Sequence, residues 1–315
     1  MKWKCLSLGV AMAASLSGTA QGQTPQTAIP GVIAAGATVE LVGGGYQALE
    51  GPVPTPDGGL FFSDVDANRT YKLAPDGTIV VWREGTNRTN GLFLKADGRL
   101  LGAESGAGRI VEVAPDRTVI VLASQFAGAA LRSPNDLIPD RNGGIYFTDP
   151  MPRPAPDIAP KEPGNVYYRT PAGAVVLLDA VIQRPNGISL SLDERTLLVD
   201  DTEGDQVYAF DVQADGRVTN KRPFATLHDL ERGSLGMRSR ADGMGIDSEG
   251  RLYVGTSSGV QVIDRTGRYL GTIRVPAVTR NVAFGGPGHH MLYLTTLNAL
   301  YRVELLSHGP EGRAK

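Results

Sequence analysis

The sequence predicts an all-β protein, a six-bladed β-propeller formed by one domain. Three observations support this fold: short alternating apolar segments, Asp-Gly turns between them, and a unit of this pattern that recurs six times. Gly and Pro number 40 and 21 among 315 residues, which is typical of short strands joined by tight turns. The same composition, together with the absence of long helical periodicity, excludes a helical bundle.

Each repeated unit consists of a turn, an apolar strand, a polar turn and a second strand. A repeat of about 40 to 50 residues with about four short strands is typical of a propeller blade. The copies fill the chain, so we expect a single domain over residues 30–306 and a C-terminal tail over 307–315. The copies are found at 56–77, 96–116, 141–150 with 164–173, 192–216, 248–267 and 287–305.

Two segments outside the regular pattern have predicted roles. Residues 37–42 (ATVELV) precede the first copy and have strand character, so we expect them to supply the outer strand of the sixth blade and close the ring. Residues 150–164 are rich in Pro and cannot pair as a central strand. They predict a long ordered loop over one face of the propeller, and a floppy insertion is the alternative.

The first 22 residues have the three parts of a secretion signal. A positively charged start is followed by an apolar stretch over 5–16 and a small-residue cleavage site over 20–22. We expect a cleaved signal peptide over residues 1–22 and a periplasmic or secreted protein; a disordered tail or a retained anchor is the alternative. Cleavage removes Cys5, the one cysteine, so the mature protein has no disulfide and no thiolate ligand.

The remaining composition limits the classes of partner. The formal net charge of −2 gives no basic surface of the kind that nucleic-acid binding requires. Beyond the signal there is no run of about 18 apolar residues that could span a bilayer. The sequence therefore indicates no nucleic acid and, after signal removal, no membrane, and no protein partner is indicated.

A short polar signature precedes the first strand of each repeated unit. In a propeller the innermost strand of every blade runs along the central channel, so residues at the start of that strand converge on the axis. Six side chains that are far apart in sequence are thereby expected to meet. They are Glu50, Asn90, Asn135, Asn186, Asp242 and Asn281.

All six signature side chains carry an oxygen atom, and none is His or Cys. Clustered carboxylate and amide oxygens would repel one another unless a cation lay among them. Such ligands suit one divalent cation in the central channel, with Ca²⁺ favoured and Mg²⁺, Mn²⁺ or Zn²⁺ as alternatives. The competing interpretation is that Asn-Gly and Asp-Gly are only turn residues at the blade entrances.

The signatures and their surroundings resemble the SMP-30/gluconolactonase family of six-bladed propellers, whose relatives include diisopropyl fluorophosphatase. The resemblance covers nearly the whole mature chain. The motifs that carry it are EGPV (50–53), SPNDL (133–137), IYFTDP (145–150), RPNGI (184–188), ADGMGID (241–247) and NVAFGGP (281–287).

The resemblance implies a role for each site residue. Glu50, Asn186 and Asp242 match the metal ligands of the family, and Asn135 matches the fourth ligand of the relatives that have one. Asp242 is also the candidate catalytic base. Arg88 and Asn90 occupy the positions that contact substrate oxygens, and Asn281 is a further candidate for substrate binding.

These features predict a metal-dependent hydrolase that opens a lactone by attack of activated water. A sugar aldonolactone such as gluconolactone is the expected substrate. A phosphotriester (organophosphate) hydrolase with the same oxygen-ligated ion is one alternative. A non-catalytic propeller that binds a ligand and holds a structural ion is the other.

Two further signals were assigned structural roles. Residues 255–259 match G-x-S-x-G, but the strand-like VQVID follows them, so they predict a hairpin turn rather than a nucleophile elbow. A solvated turn is expected at Asp200, Asp201 and Glu203, and a secondary cation site is the alternative.

Overall fold

The computed structural model describes residues 25–152, 155 and 158–312. The predicted signal peptide over 1–22 lies outside these residues. The described chain consists of short β-strands, with one three-residue 3₁₀ segment at Pro287–His289.

The strands are named in chain order. The first nine are β1 (Glu40–Gly44), β2 (Leu49–Pro54), β3 (Leu60–Asp64), β4 (Arg69–Leu73), β5 (Ile79–Glu84), β6 (Thr89–Leu94), β7 (Leu100–Glu104), β8 (Arg109–Val113) and β9 (Val119–Ala123). The next ten are β10 (Gln125–Phe126), β11 (Ala129–Ala130), β12 (Leu137–Pro139), β13 (Ile145–Asp149), β14 (Asn165–Arg169), β15 (Val175–Asp179), β16 (Pro185–Leu190), β17 (Thr196–Asp201), β18 (Gln206–Val212) and β19 (Val218–Thr226). The last nine are β20 (Glu231–Arg232), β21 (Met237–Arg238), β22 (Met244–Ile246), β23 (Leu252–Thr256), β24 (Gly259–Ile263), β25 (Tyr269–Ile273), β26 (Asn281–Gly285), β27 (Met291–Thr295) and β28 (Ala299–Glu304).

The strands form six four-stranded antiparallel sheets, which confirms the predicted six-bladed propeller. Blades one to five are β2–β5, β6–β9, β12–β15, β16–β19 and β22–β25, and blade six is β26–β28 with β1. Two small hairpins, β10–β11 and β20–β21, lie outside the blades. Residues 255–259 form the turn between β23 and β24, so the hairpin predicted there is also confirmed.

The first strand of every blade belongs to an inner ring. β2, β6, β12, β16, β22 and β26 each contact the next in that order, and β26 contacts β2. Every residue of β2, β16, β22 and β26 is buried. The outer strands β5 and β9 are largely exposed. The core therefore lies between neighbouring blades, and the ring of inner strands surrounds the channel.

The sixth blade joins the two ends of the chain. β1 pairs antiparallel with β28, with Glu40 opposite Arg302 and Leu41 opposite Tyr301. This confirms the predicted closing strand, although it runs over Glu40–Gly44 rather than residues 37–42. Because the first and last strands share one sheet, the ring closes through backbone hydrogen bonds.

The segment before β1 adds apolar contacts to this closure. Ile29, Val32 and Ile33 are buried in one cluster with residues of blades five and six, including Ile273. The Leu306 backbone N–H donates to the Val32 carbonyl over 2.8 Å. The segment therefore stabilises the junction of the last two blades from outside the sheets.

The Pro-rich segment over 150–164 contacts its surroundings at several described positions. The Ala159 backbone N–H donates to Ser234 Oγ over 2.9 Å, and Arg184 Nη1 donates to the Met151 carbonyl over 2.8 Å. These contacts favour the ordered loop over the floppy insertion. None of the helical structure in the described chain reaches the length and apolar character that a membrane crossing requires.

The packing of the N-terminal segment against blades five and six leads to a prediction about stability. Ile33→Ala should lower the free energy of unfolding by about 2–5 kcal/mol, because Ile33 is 1% exposed and its truncation leaves a cavity between two blades. Denaturant unfolding of the two proteins measures this difference. Leu41→Ala on β1 is the matched control: Leu41 is 60% exposed, so the change should stay within about 0.5 kcal/mol. Equal effects of the two substitutions would contradict the assigned role of the N-terminal segment.

Candidate active site at the propeller hub

The six signature residues lie where the sequence places them, at the start of the inner strands. Five are at most 8% exposed, and the Asp242 side chain is 19% exposed. The strands bring together side chains from all six blades. Glu50, Asn90 and Asn186 are the second residues of β2, β6 and β16, Asn281 is the first of β26, and Asn135 and Asp242 stand two residues before β12 and β22.

The glycines that follow four of these residues allow the inner strands to approach closely. A Cβ atom at Gly187 would lie 2.2 Å from the Asp242 carbonyl oxygen, and one at Gly243 would lie 1.9 Å from Asn281 Cγ. Both distances are too short for any side chain. The glycines with such contacts are Gly51, Gly91, Gly187 and Gly243.

The structure tests the interpretation of the two Asn-Gly pairs as turns. Asn90-Gly91 lies inside β6 and Asn186-Gly187 lies inside β16. Neither pair forms a turn, so the turn interpretation is wrong for both. Glycine is needed at these positions because the neighbouring blade occupies the space of a side chain.

Side-chain hydroxyls link the backbones of adjacent blades at the hub. Thr148 Oγ1 donates to the Asn186 carbonyl over 2.7 Å, joining blades three and four. Thr202 Oγ1 donates to the Ala241 carbonyl over 2.8 Å, joining blades four and five, and accepts from Asn186 Nδ2 over 3.1 Å. These bonds fix the position of the Asn186 amide.

An arginine lies between the two carboxylates of the signature set. Arg280 Nε donates to Glu50 Oε1 over 3.0 Å and lies 4.0 Å from Asp242 Oδ2. Burial raises the pKa of the Glu50 carboxyl, and the positive charge of Arg280 opposes that rise. The side chain of Arg280 is 24% exposed. One guanidinium therefore offsets negative charge that comes from blades one and five.

The Asn281 side chain makes its hydrogen bonds inside the hub. Its Nδ2 donates to Glu50 Oε2 over 3.2 Å, and its Oδ1 accepts from the Val282 backbone N–H over 2.9 Å. The side chain thus joins blade six to blade one. Its predicted contact with substrate stays a prediction, and its bonds in the structure are to protein groups.

Among the described residues, two amide oxygens at the hub receive no hydrogen bond. Asn90 Oδ1 and Asn186 Oδ1 are fully buried, and no hydrogen bond reaches either atom from the described residues. Leaving a buried acceptor unpaired is costly, and a hard cation would satisfy such oxygens. The donor set of Glu50, Asp242 and the Asn186 amide therefore fits the predicted ion. Across the described chain, no three His, Cys, Asp or Glu side chains group closely enough to hold a metal, so any site depends on amide oxygens.

A cavity of about 800 Å³ lies at the end of the channel where the inner strands begin. Of the predicted site residues, Asp242 and Arg88 line it, and the other five are buried in the hub. The Pro-rich segment contributes Ala155. The lining residues are Ala48, Val65, Asp66, Arg88, Ala155, Thr202, Arg240, Asp242, Ala277, Val278, Arg280, Leu297 and Asn298.

Arg88 reaches the cavity from a constrained turn. Asn87 and Arg88 both have positive φ angles, 51° and 57°, a conformation that costs energy in residues other than Gly. The turn is held because Asn68 Oδ1 accepts from the Arg88 backbone N–H over 2.9 Å. The Arg88 guanidinium pairs with Asp66 over 2.6 Å. The turn therefore presents a charged side chain to the cavity at a fixed place.

The prediction of a solvated turn at Asp200, Asp201 and Glu203 is wrong. These residues are 0%, 7% and 6% exposed, because β17 carries the first two into the interior. Asp200 Oδ1 accepts from the Gly187 backbone N–H over 3.1 Å, close to the hub. Burial raises the pKa of Asp200 well above its ordinary value, and the charge of Asp242 adds to the rise.

Sequence reasoning missed two charged residues that shape the electrostatics of the hub. Arg280 directly precedes Asn281, and Asp136 directly follows Asn135. Asp136 is fully buried, and its charge contributes to the raised pKa of Glu50. The available signal was a charged residue directly beside a signature position.

Comparison with known proteins gives consistent matches over most of the chain. The sequence profile of the family described as the SMP-30/gluconolactonase/LRE-like region matches residues 49–298. A gluconolactonase of Zymomonas mobilis is 26% identical over 294 residues, covering 86% of this chain and 82% of that protein.

A lactonohydrolase of Aspergillus oryzae is 30% identical over 179 residues, covering 49% of this chain and 36% of that protein. Among solved structures, a gluconolactonase of Xanthomonas campestris superposes with a TM-score of 0.76 at 29% identity, covering 90% of this chain and 94% of that one.

Burial of the Asp200 carboxyl leads to a prediction about how the stability of the fold depends on pH. Because its pKa is raised in the folded protein, the folded state binds its proton more tightly, and stability falls as pH rises above the ordinary value of 3.8. Asp200→Asn should therefore unfold at higher denaturant concentration than the wild type at neutral pH, in the presence of chelator. The gain should shrink as pH is lowered towards 3.8.

Urea unfolding at a series of pH values measures this gain. Asp193→Asn is the matched control, because the Ser191 hydroxyl lowers the pKa of Asp193 and the sign is reversed. That variant should gain nothing at neutral pH. A stability difference for Asp200→Asn that does not change with pH would contradict the prediction.

Proposed function

Because the chain belongs to the SMP-30/gluconolactonase/LRE-like family, we propose that it is a lactonase that adds water to a cyclic ester and releases a hydroxy acid. The observation that carries this proposal is the position of Asp242. Its carboxylate lines a large cavity and lies above a hub of buried oxygen ligands. A water held there is within reach of a carboxylate base, which is what ester hydrolysis requires.

The relatives support the same reaction. A gluconolactonase matches along 82% of its own length, and a lactonohydrolase matches over a shorter region. The structural neighbour with 29% identity is also a gluconolactonase. A sugar aldonolactone such as gluconolactone is accordingly the substrate that we propose to test first.

Glu50, Asn186 and Asp242, with Asn135 as a fourth ligand, would hold one divalent cation. The choice rests on the donor set, in which carboxylates and amide oxygens favour Ca²⁺, with Mg²⁺, Mn²⁺ and Zn²⁺ as alternatives. When bound, such a cation polarises an ester carbonyl and makes a nearby water more acidic. The unpaired Asn186 Oδ1 supports this assignment.

The residues of the chain divide the remaining tasks. Asp242 takes the proton from the attacking water, since its carboxylate lines the cavity at the hub. Arg88 holds substrate oxygens from its fixed turn. Asn90 supports that contact from the hub. The Pro-rich segment narrows the entrance through Ala155 and excludes part of the solvent.

We also propose that the protein acts outside the cytoplasm, in the periplasm or after secretion. This rests on the signal pattern of residues 1–22 alone.

Removal of the cation should abolish lactone hydrolysis, and added Ca²⁺ should restore it. The assay compares an aldonolactone, an aliphatic lactone and an organophosphate triester before and after exhaustive chelation, with uncatalysed hydrolysis subtracted. We expect the aldonolactone to be the fastest substrate. Full activity in protein shown by elemental analysis to be free of metal would contradict the dependence on an ion. Faster turnover of the triester than of either lactone would instead favour the phosphotriester alternative.

Asp242→Asn should reduce kcat by about 10²–10⁴-fold, because the amide cannot accept the proton of the attacking water. Stopped assays at saturating lactone and CaCl₂ measure kcat, and calorimetric titration with CaCl₂ measures ion binding separately. Asp215→Asn is the control, because the Asp215 side chain is 63% exposed. A near-normal kcat in Asp242→Asn would show that Asp242 is not the base.

A further inference from the structure

Arg280 combines a fixed position with unused hydrogen-bond donors. Its Nε is held by Glu50 at 3.0 Å. Within the described chain, no hydrogen bond is made by its two Nη groups, and the side chain lines the cavity. A guanidinium presents its donors in a planar fork that matches a carboxylate. The Nε group is therefore anchored in the hub, and the two Nη groups are left for a ligand in the cavity.

The cavity wall carries more arginines than carboxylates. Three arginines and two aspartates line it: Arg88, Arg240, Arg280, Asp66 and Asp242.

The other two arginines have nearby acidic partners. Arg88 pairs with Asp66 over 2.6 Å, and Arg240 lies 3.5 Å from Glu231. Arg280 contacts Glu50 through Nε, which leaves its terminal groups to the cavity, whereas a terminal group of Arg88 is taken up by Asp66. Arg280 Nε also lies 4.0 Å from Asp242 Oδ2.

Lactone opening creates an anion at this place. Water adds its oxygen to the carbonyl carbon, the ring C–O bond breaks, the ring oxygen takes a proton and becomes a hydroxyl, and the new acid releases a proton to solvent. The substrate is neutral and the product carries a carboxylate. A cationic group beside the reacting carbon therefore binds the product, and the charge that develops on the way to it, more tightly than the substrate.

We propose that Arg280 is the carboxylate-binding residue of the cavity, and that its Nη groups hold the carboxylate of the hydroxy acid. The choice of ligand rests on the proposed lactonase function. The site itself rests on the anchored Nε, the open Nη groups and the excess of arginines. Arg280 thereby sets the balance between substrate binding and product release.

Calorimetric titration tests the site without relying on turnover. The probes are gluconate and glucitol, which share a polyhydroxylated chain and differ in the carboxylate. Wild type, Arg280→Gln, Arg280→Lys and the surface control Arg217→Gln are titrated with each probe in CaCl₂, and the affinity of each protein for Ca²⁺ is measured in parallel. Circular dichroism and the thermal midpoint verify folding. The Arg217 side chain is 65% exposed and lies outside the cavity.

The proposal expects wild type to bind gluconate more tightly than glucitol. Arg280→Gln should weaken gluconate binding about tenfold or more, as the loss of a charge-assisted bond predicts, with glucitol binding unchanged. Arg280→Lys should restore part of the affinity, because it keeps the charge but loses the fork. In the lactonase assay, Arg280→Gln should raise the inhibition constant of gluconate by a larger factor than it changes KM for the lactone.

Four results would overturn the proposal: no gluconate binding by the wild type, an unchanged gluconate affinity in Arg280→Gln, an equal loss for glucitol, or a loss that follows an equal loss of Ca²⁺ binding. The test separates this inference from the proposed function. A wild type that binds gluconate through Arg280 but hydrolyses no lactone would refute the lactonase and leave the anion site standing. An active lactonase whose affinity for gluconate is unchanged in Arg280→Gln would refute the anion site and leave the lactonase function standing.

Discussion

The close approach of the six inner strands is the constraint on which the hub depends. Where neighbouring blades meet, Gly187 and Gly243 have no room for a Cβ atom. The polar side chains beside these glycines are consequently held in one small volume from which water is largely excluded. Polar groups in such a place need partners among themselves. The threonine hydroxyls of Thr148 and Thr202 supply some of these partners by bonding to the next blade.

Charge balance follows from the same packing. Glu50 and Asp242 approach from blades one and five, and Arg280 lies between them. The amide oxygens of Asn90 and Asn186 add further acceptors without donors in the described structure. The hub therefore contains more acceptors than its own residues satisfy, which favours an additional positive charge. Arg280 supplies one positive charge of its own to the hub, and its open Nη groups extend that charge into the cavity.

The sequence predicted the features that depend on local pattern. The blade number and the placement of the six signature residues follow from repeated segments along the chain, and the closing strand follows from the strand character of the residues before the first repeat. The burial of Asp200 could not be predicted in this way, because an Asp-Asp pair near Gly has the composition of a surface turn while its environment is set by the adjacent blade. Asn-Gly was ambiguous for a related reason: turns and crowded strands both require glycine. Arg280 was recognisable only as a charged neighbour of Asn281, and its contact with Glu50 spans 230 residues.

The sharing of one sheet by both ends of the chain has a consequence for biogenesis. Blade six needs β1, made early, and β26–β28, made last. During synthesis β1 stays without its partner while the intervening blades are completed, and an unpaired edge exposes backbone groups that can join another chain. Bringing such distant segments together is also slow, since contacts of high sequence separation form late. Completion of the ring thus has to wait for β28, and a nascent chain that stops short of this strand is left with two open edges that can recruit neighbouring molecules.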